Sequence, residues 1–473
     1  MTRDDGLRVT VGRDALAEPD GDARADYRDA IRALSERGRF ARHTGLGRTR
    51  ALLRELGHPE RPLRGALIAG TNGKGSVLAL AASALQAAGI RTGMTPKPHL
   101  VSYRERLQID GRPVDPATFA RLVGEILAVA EHVARRYGSP TEFELLTAVI
   151  FRWFAEERID VALVEVGIGG RLDATHAWDG GVAVITNVAL DHMDRLGFTI
   201  PAIAREKAAI IERGDLAVTG AAGVALDVVR RRARRIGAPL REVQPAPLLG
   251  WDRDGIDVDV GRLGRVRVGL RGRHQAANVA VADALLDALE EAGVAEIPAP
   301  ARRLGYAAAR WPGRLELLEI GGREVLLDGA HNPAGAAALS DALTDLRPFL
   351  VGADRDPVEP VTLVVATMAD KDVDGVIRAL TSRGRLEGAR VIATQVDMPR
   401  AMPAAALAAR WRSLAPTIQV ELVADPGRAL ERALHVGAGP VIVAGSLYLV
   451  GEARRRWVDE PADLRYRRVA SPA

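Results

Sequence analysis

Gly70-Thr71-Asn72-Gly73-Lys74-Gly75-Ser76 is the segment of this chain whose residue types most directly imply chemistry. The apolar run Ala66–Ala69 leads into it, and a stretch of helical period begins at Val77. Glycines let backbone N–H groups face a phosphate, and a helix N-terminus adds the positive end of a dipole. In such a turn Lys74 would set its ammonium on the terminal phosphates of a nucleotide, and the Ser76 hydroxyl would ligate Mg2+. The spacing departs from the common G-x-x-x-x-G-K-[ST], because Gly75 stands between lysine and serine. A glycine-rich turn without a ligand is the plain alternative, and the order strand, loop, helix argues against it.

Other polar residues stand where burial or a strand end would make them useful. Glu165 lies in the apolar run Ala-Leu-Val-Glu-Val-Gly, where an ionised carboxylate is costly unless it is paired or holds a metal. A salt bridge to a helix arginine is the bland alternative there. His192 follows another strand-like run; Mg2+ prefers oxygen, so this histidine is as readily a loop or cap residue as a ligand. Lys207, at the start of an apolar helix, reads on its own as a surface lysine. Asp328-Gly329-Ala330-His331-Asn332-Pro333 reads as a tight strand-to-helix turn capped by Asn332. Arg314, at the start of a hairpin, would more often lie on the surface. Arg104 and Arg106 are as readily solvated loop arginines as partners of a carboxylate.

The elements that must position these groups alternate. Short runs at Ala66–Ala69, Val161–Val166, Val182–Thr186 and Leu216–Thr219 read as strands, separated by helical stretches such as Val77–Ala88, Glu144–Glu156 and Ala276–Glu291. That alternation predicts an α/β fold, a P-loop ATPase-like domain built on a mostly parallel sheet. A break rich in proline and small residues follows at 290–303. The chain restarts with a hairpin around Gly321-Gly322, then strands at Val361–Thr367, Arg390–Thr394, Val420–Val423 and Val441–Ala444, a smaller Rossmann-like α/β domain. The expected division is a loose extension over 1–25, the ATP-binding domain over 26–301, a linker over 302–310 and the C-terminal domain over 311–473.

Composition narrows the classes. The absence of cysteine excludes disulfides and thiolate chemistry. A formal charge of only +4 and few aromatics make nucleic acid an unexpected partner. No apolar stretch is long enough for a signal peptide or a membrane span, so the cytoplasm is the expected location.

The motifs also resemble a known family. GTNGKGS is similar to the phosphate loop of the Mur ligase superfamily, in the spelling of folylpolyglutamate and dihydrofolate synthases. The resemblance continues in order through Pro98-His99-Leu100 with Tyr103–Arg106, Phe143–Thr147, Glu165 to Thr175, Leu190-Asp191-His192, Arg205–Ala208, Gly272–Asn278, Trp311–Arg314, Leu327–Pro333 and Gly445–Tyr448. It implies an ATP-dependent ligase that joins L-glutamate to a folate-type carboxylate through an acyl-phosphate.

The resemblance also implies roles. Ser76, Glu165 and His192 would surround two Mg2+ ions, and Lys207 would be carbamylated to ligate the second. Asn278 would lie near the nucleotide base, Arg314 on the phosphates, Asp328 on the ribose and His331 near the γ-phosphate. Phe143, Asp173 and Ala174 would line a pterin pocket, beside which Arg104 and Arg106 could, by their own chemistry, pair with glutamate carboxylates. The expected partners are folate or dihydropteroate, glutamate and ATP, with the chain acting as a monomer. Lys97 stands where the family has serine, and His176 where it has asparagine. The rivals are another Mur-type amino-acid ligase and a non-catalytic nucleotide-binding regulator. Little chain precedes Gly70 to hold a UDP-sugar-binding domain, and a regulator would be expected to have lost Lys74, Glu165, His192 or Asp328.

Overall fold

The computed structural model describes residues 21–38, 45–350, 360–382 and 386–458. Its first sheet contains β1 (Gly65–Ala69), β2 (Thr92–Thr95), β3 (Gln108–Ile109), β4 (Arg112–Pro113), β5 (Val161–Glu165), β6 (Gly181–Ile185), β7 (Leu216–Thr219) and β8 (Leu240–Glu242). The order is β4-β3-β2-β5-β1-β6-β7-β8, parallel from β2 to β8, with the short β3 and β4 antiparallel at one edge. Alternate residues serve opposite faces: Leu67 and Ala69 join one core, Ala66 and Ile68 the other. A strand buried on both faces has to be apolar throughout, which is why these runs lack a polar alternation.

Helices cover both faces. The helix Lys74–Ala87 is apolar almost all round because it packs between this sheet and the helices Gln275–Glu291 and Ala299–Ala308. A small antiparallel sheet of β9 (Leu248–Asp252), β10 (Gly255–Asp259) and β11 (Arg265–Val268) completes that side. On the other face the helix Glu142–Glu156 starts in a capping box between Thr141 and Glu144.

The second sheet contains β12 (Glu316–Ile320), β13 (Arg323–Leu327), β14 (Thr362–Val365), β15 (Arg390–Ala393), β16 (Gln419–Leu422) and β17 (Val441–Ala444), in the order β12-β13-β17-β14-β15-β16. Only the β12–β13 hairpin is antiparallel; its turn residues Gly321 and Gly322 have φ of 58° and 78°, values that side chains disfavour.

Two expected boundaries need correction. The stretch taken as a linker over 302–310 is mostly the helix Ala299–Ala308, with Tyr306 and Arg302 fully buried. Arg302 is held there by Asp283, Asp287 and Glu290. Pro298 and Pro300, in the break read at 290–303, do not interrupt the chain; they start this helix, where a missing N–H is harmless. At the other end the helix Gly21–Glu36 already begins inside the extension expected over 1–25, and residues 1–20 lie outside the described residues.

Candidate active site

The turns after β1, β5 and β6 meet at the carboxyl edge of the first sheet, on either side of the central strand β1. In open parallel sheets that crevice is where ligands bind. Gly70 has φ of 154°, and a Cβ there would fall 1.9 Å from Thr186 Oγ1. Gly73 opens the helix in a left-handed conformation, and a Cβ there would fall 2.3 Å from Asn278 Oδ1. Thr186 Oγ1 donates to Asn72 O at 2.6 Å, and Asn72 N donates to Asn187 Oδ1 at 2.9 Å. The loop is thus shaped by close backbone approach, and Ser76 lies buried in the first turn of its helix.

The chain brings two lysines to one carbonyl. Lys74 Nζ donates to Gly70 O and Thr71 O, at 3.1 Å each. Lys207 Nζ donates to the same Gly70 O at 2.7 Å. Lys207 is therefore no surface lysine: it is 5% exposed, and burial, helped by the charge of Lys74, pushes its ammonium down to about 7. Burial also lowers Lys74, against the opposing pull of Glu165 and Asp191. Glu165 is buried with Oε1 3.9 Å from Lys74 Nζ. Burial raises its pKa, and Lys74 and the Lys97 N–H work the other way.

The second sheet closes on this edge. Asn332 caps the helix Pro333–Leu346 through Oδ1, while its Nδ2 donates to Asn72 Oδ1 at 3.1 Å and Asp191 Oδ2 at 3.2 Å. Lys371, in the turn after β14, donates to Asp191 Oδ1 at 2.6 Å. His331 sets Nε2 3.7 Å from Asp191 Oδ2 while its Nδ1 faces Gly329 O at 2.7 Å. Burial alone would raise Asp191, but His331, Lys371 and His192 hold it well below the usual carboxylate range. His192, with φ of 48°, stands 3.4 Å from Lys371 Nζ. Burial first, then Lys371, lowers it to about 4, which keeps the imidazole neutral, the form that binds metal.

Asp328 accepts from Leu315 N and Ala330 N at 2.9 Å each, and a Cβ on Gly329 would strike Arg314 Nη1 at 2.1 Å. Arg314, just before β12, and Asp328, just after β13, thus lie side by side at the open end of that hairpin, while Asn278 presses on the phosphate loop from the helix Gln275–Glu291.

The acceptor-side residues fare differently. Phe143 is half-buried with the Lys97 ammonium 4.8 Å from its ring centroid. Ala174 is buried, and Arg106 Nε donates to His99 Nδ1 at 2.9 Å. Asp173 accepts from Gly167 N, Ile168 N, Thr175 N and Thr175 Oγ1, so its carboxylate organises the turn after β5. The pairing expected between Arg104 and a substrate carboxylate does not fit. Arg104 is 3% exposed and its Nε donates to Val114 O, tying the β3–β4 edge.

Among the described residues no three His, Asp and Glu side chains converge as a metal cage. Mg2+ does not require one: it is commonly held by one or two protein oxygens with phosphate and water supplying the rest. The Ser76 hydroxyl and the Glu165 carboxylate fit that pattern, and neutral His192 would add a nitrogen ligand. Asp191 and Lys371 were not assigned roles from sequence, and Asn332 was read only as the cap that it also is. Lys371 was legible in principle, as a charged residue in the turn that follows a buried strand at the ligand-facing edge of a parallel sheet.

A phosphate loop at the edge of one parallel sheet, closed by histidine, lysine and asparagine from a second, defines a Mur-type ligase. The family model for the Mur ligase middle domain matches residues 68–240, and that for the dihydrofolate synthetase C-terminal domain matches residues 316–456. The dihydrofolate synthase/folylpolyglutamate synthase of Bacillus subtilis is 32% identical, covering 91% of this chain and 99% of that one. The structure of Mycobacterium tuberculosis folylpolyglutamate synthase complexed with ADP and AMPPCP superposes with a TM-score of 0.82 at 32% identity, covering 93% of this chain and 100% of that one. A bifunctional folylpolyglutamate synthase/dihydrofolate synthase from Yersinia pestis, complexed with AMPPNP and Mn ion, gives 0.76 at 27% identity over 91% and 97%. This chain belongs to the folylpolyglutamate/dihydrofolate synthase family of ATP-dependent ligases. Among the described residues no helix is long and apolar enough to cross a membrane.

Proposed function

We propose that this chain uses ATP to join the amine of L-glutamate to the carboxylate of dihydropteroate or a folate. The observation that carries this is the meeting of Lys74, Lys207 and buried Glu165 at the phosphate loop, under a cover from the second sheet. Lys74, Lys97, Lys371 and Arg314 bring more positive than negative side chains to the crevice, against Glu165, Asp191 and Asp173. Such a surplus suits a triphosphate beside a second anion, whose mutual repulsion is the main obstacle to reaction.

A carboxylate oxygen of the acceptor attacks the γ-phosphorus while the bond to the β–γ bridging oxygen breaks, and ADP leaves with that electron pair. The glutamate nitrogen then adds to the acyl carbon. The tetrahedral intermediate collapses with release of phosphate, and the nitrogen loses a proton to solvent. Lys74 offsets charge on the transferring phosphoryl group, and the loop N–H groups hold the phosphates. A divalent cation held by Ser76, Glu165 and His192 would neutralise phosphate oxygens. Asn278, Arg314 and Asp328 serve the nucleotide, and His331 approaches the γ-phosphate from the second sheet.

The amine of Lys207, held near neutrality by burial, suits carbamylation by CO2, which would add a carboxylate for a second metal. Phe143, Ala174 and Arg106 border the acceptor. The family resemblance supports a monomer, and the need for ATP supports the cytoplasm. Purified protein should release ADP in a glutamate-dependent manner with dihydropteroate, a folate or both. ADP release with neither, in protein that binds ATP, would refute the assignment.

A further inference from the structure

Glu165 has a lysine on each side. Lys74 Nζ lies 3.9 Å from Glu165 Oε1 on the phosphate side. On the other side the Lys97 N–H donates to Glu165 Oε2 at 3.0 Å, and its Nζ donates to the Glu165 carbonyl at 2.5 Å. The same ammonium stands 4.8 Å from the centroid of the Phe143 ring. Sheet register explains the placement: Lys97 follows β2, whose parallel partner β5 ends at Glu165.

A neutral hydroxyl could donate equally well to that carbonyl. An ammonium there is disfavoured first by burial and then by Arg106 and Lys74, which together lower its pKa to about 8. Asp173 and Glu165 favour the charge from a distance, yet neither carboxylate hydrogen-bonds Lys97 Nζ. An ammonium carries three donors, and the Glu165 carbonyl takes one. The cation also covers a face of Phe143 on which a flat ring would stack, so this corner is better suited to an anionic group than to an aromatic one.

We propose that Lys97 is a specificity-determining residue that receives the acceptor's carboxylate between Phe143 and Glu165. This rests on the ligase function above. One carboxylate oxygen is held by the ammonium while the other attacks the γ-phosphorus and displaces ADP. The held oxygen becomes the carbonyl oxygen of the acyl-phosphate. It takes the electron pair when the glutamate nitrogen adds, and returns it as phosphate departs and the nitrogen releases its proton to solvent.

The test compares wild type with Lys97→Met and Lys97→Arg, varying acceptor, ATP and glutamate in turn. Lys97→Met should raise the acceptor KM about tenfold to a hundredfold, the scale of a lost charged hydrogen bond, with the ATP KM within about twofold. Lys97→Arg should recover most of that loss. An acceptor analogue lacking the carboxylate should inhibit wild type and Lys97→Met equally. A normal acceptor KM in Lys97→Met, or equal weakening of the analogue and the acid, would overturn the proposal alone. Wild type inactive with every acceptor would overturn the ligase assignment and this proposal together. Should Lys97→Met not fold, Lys97→Gln carries the same expectations.

Discussion

The phosphate end and the acceptor end of the crevice are held in shape by opposite means. At Gly70–Ser76 the shape depends on missing side chains: Gly70 and Gly73 leave room for Thr186 and Asn278 at distances no Cβ would tolerate. At the acceptor end it depends on ionised side chains that bind backbone. Glu105 accepts from Leu100 N, Val101 N and Ser102 N, Asp173 from the turn after β5, and Arg104 donates to Val114 O. Lys74 and Lys207 bind backbone as well, at the Gly70 carbonyl, but they line the phosphate crevice, whereas Glu105, Asp173 and Arg104 tie down loops and a sheet edge. Substitution should separate the two, changing rate at one end and stability at the other.

The largest effect is expected at the phosphate end. Lys74→Ala should lower kcat by about a hundredfold to a thousandfold in steady-state ADP release, with little change in thermal unfolding. Near-normal turnover would remove the distinction. At the closure between the sheets, Lys371→Met leaves Asp191 without its 2.6 Å cation, and the unfolding free energy should fall by about 3 kcal/mol in urea titration. An unchanged midpoint would mean that this ion pair does not tie the two sheets together.

Lys207 sharpens the comparison through pH. Its folded value of about 7 lies below the usual 10.5, so between these values the unfolded chain binds more protons. Stability should therefore rise with pH across that window, and below it the penalty of burying the ammonium is felt in full. Relative to Lys207→Met, the wild type should gain about 4 kcal/mol between neutral pH and the upper end of the window. Parallel stability profiles for the two proteins would show that Lys207 is not the buried, depressed amine described here. The smallest effect is expected at Arg104. Arg104→Met should lower stability by about 1–2 kcal/mol and leave both substrate KM values unchanged, and a selective rise in the glutamate KM would return it to the substrate.

The same contrast decides what could be read in advance. The strands were legible because burial on both faces forces continuous apolar runs, and the loop because glycine, lysine and serine at that spacing carry their meaning in the backbone. The three-stranded sheet β9–β11 was not anticipated: it is short, half-exposed and bears charged residues on its outer face. Pro298 and Pro300 were misread because proline marks both the end of one element and the first turn of another. Arg104 and Arg106 are identical in type and two positions apart, yet one bonds Val114 O and the other His99. Side-chain direction at a loop is set by tertiary contacts that spacing does not encode. Asp191 and Lys371 lie far apart in sequence, and only the closing of one sheet on the other makes them a pair.

Transfer of oxygen from the acceptor to phosphate tests the central claim most directly. With the acceptor carboxylate carrying a heavy-oxygen label, each turnover should deliver one labelled oxygen to the released phosphate, read by mass spectrometry. Phosphate that emerges unlabelled while amide forms would contradict the account, since no acyl-phosphate would then have been made.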